Sequence, residues 1–260
     1  MKILFVGDIV GRPGRRALAE LLPGIVETHA VDFTIANCEN AAGGLGITER
    51  TATELLDAGV HVLTGGDHSW DRPEGVPFLD ECERILRPAN YPVGAAGRGF
   101  GIFESPSGEK VGVVNLQGRA FMKSLDCPFH MGLELVKSAK KETPIVVVDF
   151  HAEATSEKTA MGHYLAGIAT CVLGTHTHVQ TADECLLTGR TAYITDVGMT
   201  GPSDSVIGML TEVALERFLM GMPRRYEVGQ GPAILNAVVV DVDGDTGGAR
   251  SIERIAMRSQ

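Results

Sequence analysis

Residues 2–28 read KILFVGDIVGRPGRRALAELLPGIVET, and this stretch decides the fold. Residues 2–7 are a β-rich run that ends against Asp8. Pro13-Gly14 then opens a helix candidate reaching Thr28, with Leu18, Leu21, Leu22 and Ile25 at helical spacing. The same alternation continues along the chain. Further β-rich runs fall at 31–36, 60–64, 110–116, 144–149, 169–174, 191–195 and 233–242. A second helix candidate, Thr48 to Ala58, starts at an N-cap threonine, and Thr155-Ser156 followed by Glu157 opens a third. Between 97 and 117, Ser107-Gly108 separates two apolar runs in the manner of a hairpin. Strand–helix alternation with a hairpin predicts a layered α/β fold whose sheets are mixed, within one domain spanning 1–260.

Composition narrows the function classes. The 260 residues are 44% hydrophobic and 22% charged, which excludes a disordered chain. Lys and Arg total 23 against 33 Asp and Glu, a formal charge of −10. That balance excludes a sequence-independent nucleic-acid or anionic-membrane coat, which needs a basic footprint. No apolar run approaches the ~18 residues needed to span a bilayer. The N-terminal segment meets Asp8 too early for a secretory signal. Five cysteines without CxxC spacing read as reduced thiols, Cys38 and Cys171 as small core residues, and the expected compartment is the cytoplasm.

Polar residues follow the predicted strands closely. Asp8 ends the first, Glu39-Asn40 the second and Asp67-His68 the third; His151 and then His176-Thr177-His178 follow two later ones. In an open α/β sheet such positions converge on one crevice. Each alone has an ordinary explanation as a turn residue, a cap or a satisfied buried histidine. His176 and His178 are the exception, because alternation in an extended segment would point both imidazoles to one side. Together the set offers oxygen and nitrogen donors and no thiolate, which suits two borderline-hard cations such as manganese, iron or zinc. His29, His61, His130 and His163 lack this context and read as structural or surface histidines.

The order of the blocks separates reaction classes. An amidohydrolase-type site opens with its HxH and closes on an Asp; here Asp comes first and HxH last. The sequence resembles the calcineurin-like metallophosphoesterase superfamily, and within it the bacterial YmdB-like subfamily of 2′,3′-cyclic-nucleotide 2′-phosphodiesterases. The matching stretches are residues 7–15, 37–44, 66–71, 149–158, 174–179 and 195–201, which together reach over nearly the whole chain.

This resemblance implies a metallophosphoesterase fold of mixed β-sheets packed together and flanked by helices. It also implies that Asp8, Asn40 and His178 hold one metal, that Asp67, His151 and His176 hold the other, and that Glu39 bridges them. Two metal ions per chain are implied, iron or manganese ahead of zinc. His68 matches the family's proton donor. The expected reaction is attack by a metal-bridging hydroxide on a small nucleotide phosphodiester, with His68 protonating the departing ribose oxygen or stabilising charge on the equatorial oxygens. Two departures stand out. Val10 occupies the place of the superfamily's first-block His, a loss the subfamily shares, and Asp67 stands where the family pattern has Asn.

Other readings stay open. The same metal pair could serve a phosphomonoesterase or protein phosphatase, or a low-turnover metal-containing regulator. Asp149 could orient His151 or simply end a strand. Gly11, Gly14, Gly43 and Gly44 could approach a phosphate or make tight turns. Arg12 reads as a solvated loop arginine, and Trp70 as a packing residue more than a base-stacking one. Apolar surface left over from a mixed sheet could serve a homo-oligomer. Two bound divalent ions would bring the formal charge to −10 + 4 = −6, concentrating attraction for phosphate in one crevice.

Overall fold

All eight β-rich runs form strands in the computed structural model, which describes residues 1–259. The first half runs β1 (Lys2–Val6), β2 (Asp8–Ile9), α1 (Gly11–His29), β3 (Phe33–Asn37), α2 (Glu49–Asp57), β4 (Val62–Thr64), α3 (Val76–Glu81), β5 (Ile85–Leu86), β6 (Phe100–Glu104) and β7 (Lys110–Gln117). The second half runs α4 (Pro128–Ala139), β8 (Val146–His151), α5 (Thr155–Leu165), β9 (Cys171–Thr175), β10 (Cys185–Leu187), β11 (Thr191–Ile194), β12 (Met199–Pro202), α6 (Thr211–Met220), β13 (Ala233–Val242) and β14 (Ala249–Arg258).

The strands make two mixed sheets. One is eight-stranded, in the order β2-β12-β13-β1-β3-β4-β5, with β14 also paired to β13; the other is six-stranded, in the order β10-β11-β9-β8-β7-β6. Period-2 alternation sorts the side chains between layers. Ile3 and Phe5 of β1, with Ile35, meet Val113, Val147, Cys171 and Leu173 of the second sheet in a shared inter-sheet core. Leu4 and Val6 face the other way, onto Leu18, Leu22 and Ile25 of α1 and Leu55 of α2. Val146, Val148 and Phe150 of β8 pack outward against Val136 of α4 and Met161 and Leu165 of α5. Helices therefore cover both outer faces, which explains why the central strands read as unbroken apolar runs.

Local signals worked unevenly. The Thr48 cap is real: its hydroxyl accepts from Thr51 N at 3.3 Å, and Thr51 Oγ1 accepts from Thr48 N at 3.0 Å, a reciprocal capping box. The third helix starts at Thr155 as expected, but Ala154 is its N-cap and supplies no side-chain bond. The first helix begins at Gly11, so Arg12 is an exposed residue of its first turn and not of a loop. The hairpin forms from β6 and β7, with Glu104 opposite Lys110.

Pairing is parallel across β1-β3-β4-β5 and across β7-β8-β9-β11. The residues just past β1, β3 and β4 in one sheet and at the ends of β8 and β9 in the other meet, so the crevice lies between two sheets rather than along one. Among the described residues no helix is long and apolar enough to cross a membrane.

Candidate metal centre

Glu39, Asp67, His151 and His176 each offer a ligand atom, and these atoms all lie within 4.8 Å of one another. His151 Nε2 is the hub, at 3.1 Å from Asp67 Oδ1, 3.2 Å from Glu39 Oε1 and 3.0 Å from His176 Nδ1. Asp67 Oδ1 is 3.5 Å from His176 Nδ1. The remaining three expected ligands adjoin this group. Asn40 Nδ2 donates to Glu39 Oε1 at 3.1 Å and to His178 Nε2 at 3.2 Å. Asp8 Oδ1 lies 4.0 Å from His178 Nε2 and 3.9 Å from His151 Nδ1. All seven residues expected as ligands are thus brought together. Glycine at 66 keeps the space open, since a Cβ there would sit 2.2 Å from Glu39 Oε2 and 2.4 Å from His151 Nε2.

The far side of each imidazole fixes what the near side can do. Thr175 Oγ1 donates to Asp149 Oδ1 at 2.7 Å, so it accepts from His151 Nδ1 at 3.0 Å. His176 Nε2 faces Glu153 Oε2 at 3.1 Å, and His178 Nδ1 donates to the Ile207 carbonyl at 2.8 Å. Three rings therefore spend their outer N–H on oxygen acceptors and turn the other nitrogen inward, as metal-ligating histidines do. Asp149 orients His151, but through Thr175 and not by direct contact. Its own carboxylate is held by Thr64 Oγ1 at 2.5 Å and Asn37 Nδ2 at 3.1 Å. Thr175→Val is accordingly expected to weaken metal binding about 10–100-fold with the fold intact, read by manganese titration calorimetry. Unchanged affinity would remove Thr175 from this role.

The electrostatics suit a cation. Burial pushes the Asp8 carboxyl up to about 6 against the pull of His178 and His151, and its Oδ1 has no hydrogen-bond partner among the described residues. A buried, orphaned carboxylate oxygen is costly unless something positive occupies the neighbouring space. Burial also opposes ionisation of Glu39 and Asp67, yet the charge and hydrogen bonds of His151 hold both carboxyls below their usual range. His151 itself is raised: burial disfavours its charge, and Glu39 and Asp67 outweigh that. Burial and the adjacent His151 push His176 down to about 4. Converging carboxylate oxygens and inward ring nitrogens, with no thiol among them, fit borderline-hard divalent cations. A cation between Asp8, Glu39 and His178 would take the oxygen end of the Asn40 amide.

The HxH segment is not extended. His176 and His178 have φ of 97° and 66°, in the left-handed region, and lie beyond the end of β9. Alternation therefore does not aim them. The loop is fastened instead by the residue between them, Thr177, whose N–H and hydroxyl both donate to Asp196 Oδ2, at 3.1 and 2.7 Å. Lys158 Nζ donates to the same oxygen at 2.6 Å, and both charged groups are buried. Strain at two non-glycine residues is a feature of ligand clamps.

His68 stands at the rim. Its Nδ1 donates to Asp71 Oδ2 at 2.7 Å, its backbone N–H donates to Glu39 Oε2 at 3.0 Å, and its Nε2 is 3.9 Å from Asp67 Oδ2. Burial works against its charge, but Glu39, Asp67 and Asp71 raise its pKa overall. Trp70 packs: Nε1 donates to Ala96 O at 3.1 Å and the ring lies 4.4 Å from Tyr91. His61 accepts from Thr34 N at 2.9 Å and stacks on Phe33, far from the site. Glu153, Lys158, Thr175 and Asp196 lie within the matching stretches without an assigned role, because their partners come from distant parts of the chain, whereas Asp71 meets His68 only three residues away.

Known proteins share this arrangement of chain. A 2′,3′-cyclic-nucleotide 2′-phosphodiesterase of Bacillus subtilis is 48% identical over 98% of this chain and 96% of its own. A crystal structure of a hypothetical protein from Thermus thermophilus superposes with a TM-score of 0.93 at 42% identity, covering both chains completely. One described as a novel phosphatase of Mycoplasma pneumoniae gives 0.93 at 33% identity, over 99% of this chain and 93% of its own. The family model for YmdB-like proteins matches residues 4–255, and the chain belongs to that family.

Proposed function

We propose that this chain is a metal-dependent phosphodiesterase acting on small nucleotide phosphodiesters, 2′,3′-cyclic nucleotides among them, with two metal ions per chain. Asp8, Asn40 and His178 would hold one ion, Asp67, His151 and His176 the other, and Glu39 would lie between. The observation that carries this reading is the convergence of those side chains with all three imidazoles oriented from behind. A bound pair of divalent cations supplies Lewis acidity at the phosphoryl oxygens and lowers the pKa of a coordinated water.

The chain's own residues do the rest. Asp8, Glu39 and Asp67 would place three carboxylates beside the ions, and Asp67, where the family pattern has Asn, brings Oδ1 to 3.1 Å from His151 Nε2. His68, with Nδ1 committed to Asp71, would present Nε2–H to the leaving oxygen. The name of the Bacillus relative supports the diester substrate, while the description of the Mycoplasma structure favours the phosphomonoesterase alternative. An imidazole at the cleft rim with Nδ1 already committed to Asp71 supports a catalytic reading over a purely regulatory one. A homo-oligomer would find apolar surface on α6, where Leu215, Phe218 and Leu219 are exposed.

The test is turnover of 2′,3′-cyclic AMP, bis-p-nitrophenyl phosphate and p-nitrophenyl phosphate, with and without chelator, beside metal analysis of the purified protein. Diester preference, loss of activity in chelator and recovery with manganese or iron are expected. Preference for the monoester would transfer the assignment to the alternative, and chelator-insensitive turnover would sink both.

A further inference from the structure

The cleft changes chemistry on one side of the candidate metal centre. Leu45, Ile207 and Tyr226 line the same cavity, of about 230 Å³, as Glu39, His176 and His178. Beyond Ile207 and Tyr226 lies a second, apolar cavity of about 390 Å³ that also touches Met209 and Phe218. Two side chains, Ile207 and Tyr226, thus border both cavities.

Ile207 holds its place against backbone preference. Val206 and Met209 exchange two backbone hydrogen bonds of 2.9 Å, so Ile207-Gly208 are the central pair of a tight hairpin turn, with φ of 47° and 97°. Such a turn favours Asn, Asp or Gly at both places, and a β-branched residue there is strained. The bond from His178 Nδ1 to the Ile207 carbonyl does not explain the choice, since every residue has a carbonyl. What isoleucine adds is an apolar side chain, 47% exposed, at the mouth of a charged site. Tyr226 comes from the strap that binds this turn: Met209 bridges Val228, and Leu210 N donates to Glu227 O at 2.8 Å. Its half-buried ring rests on Gly44, where a Cβ would meet ring carbon Cε1 at 3.1 Å.

We propose that Tyr226, Ile207 and Leu45 form a base-binding subsite, on which the nucleobase of the substrate stacks while its phosphodiester lies at the metal centre. The assignment rests on the phosphodiesterase reading above and deepens it. An uncharged planar base matches an apolar wall beside a polar floor, whereas a bare phosphate would leave the wall unused. Stacking reads π-surface rather than base edges, so the site accepts every base and binds the larger purines more tightly.

The experiment compares 2′,3′-cyclic AMP with ribose 2′,3′-cyclic phosphate, the same diester without a base, using full-length enzyme supplied with manganese. Wild-type kcat/KM should be about tenfold or more higher for the nucleotide. Tyr226→Ala should erase most of that ratio, chiefly through KM, and Tyr226→Phe should restore it. Ile207→Asn suits the turn better, so its melting temperature should hold or rise while the KM for the nucleotide climbs several-fold. That combination separates binding from a structural role. Equal efficiency of wild type on both substrates, or a Tyr226→Ala loss that is the same for both, overturns the subsite alone. Failure to hydrolyse either substrate overturns the phosphodiesterase reading, and the subsite falls with it.

Discussion

His68→Ala is expected to lower kcat on 2′,3′-cyclic AMP by a factor of about 10²–10⁴ while the protein keeps its bound metal, the range for loss of a positioned general acid. The two halves of this outcome have separate structural grounds. His68 is outside the cluster formed by Glu39, Asp67, His151 and His176, and its Nε2 approaches Asp67 Oδ2 only to 3.9 Å. Its link to Glu39 is made by its backbone N–H, which alanine retains, so the carboxylate between the two proposed metal positions keeps that donor. What the substitution removes is an imidazole at the cleft rim whose orientation is set by Asp71. Turnover measured beside elemental analysis gives both readouts. Wild-type kcat would end the proton-donor assignment, and loss of metal together with activity would recast His68 as part of the cage.

How much of this was open to reading in the sequence depended on whether the controlling contact is local. Strand ends are local, so placing Asp8, Glu39-Asn40, Asp67-His68, His151 and the HxH pair after β-rich runs was enough to gather them. The Thr48 cap is local too. Aim is not local. His176 and His178 do not alternate along a strand; their left-handed backbone is held by Asp196, nineteen residues beyond Thr177 in the chain. The acceptors behind His151 and His178 are Thr175 and the Ile207 carbonyl, and no spacing rule finds a carbonyl 29 residues away. Among the elements, helices α3, α4 and α6 and strands β2, β5, β10, β12 and β14 went unread. The burial of β14 is broken and mostly exposed, because it pairs on one side with β13 and offers much of its length to solvent.

Asp196→Ala should be the most damaging substitution to stability outside the ligand set, with loss of about 3–5 kcal/mol. For a chain of this size that is a fall in melting temperature of roughly 10 °C. Asp196 is fully buried, and its Oδ2 accepts from Lys158 Nζ, Thr177 N and Thr177 Oγ1, while Oδ1 accepts from Gly198 N at 2.8 Å. Removing it strands a lysine ammonium that is itself only 1% exposed. The reverse change is milder. Lys158→Met leaves the Asp196 carboxylate three neutral donors and replaces the lysine stem with a side chain of similar shape, so it should cost less than half as much. Joining Lys158→Met to Asp196→Asn leaves no buried charge and should be more stable than Asp196→Ala alone. Activity should follow a different order. Both variants that remove the carboxylate take away acceptors that hold Thr177 between the two left-handed histidines, so both should lose turnover even where stability returns. Thermal unfolding and kcat on the same preparations decide the matter. A fall of under 2 °C for Asp196→Ala would show the pair to be dispensable, and full activity in the double variant would show that the loop holds its shape without it.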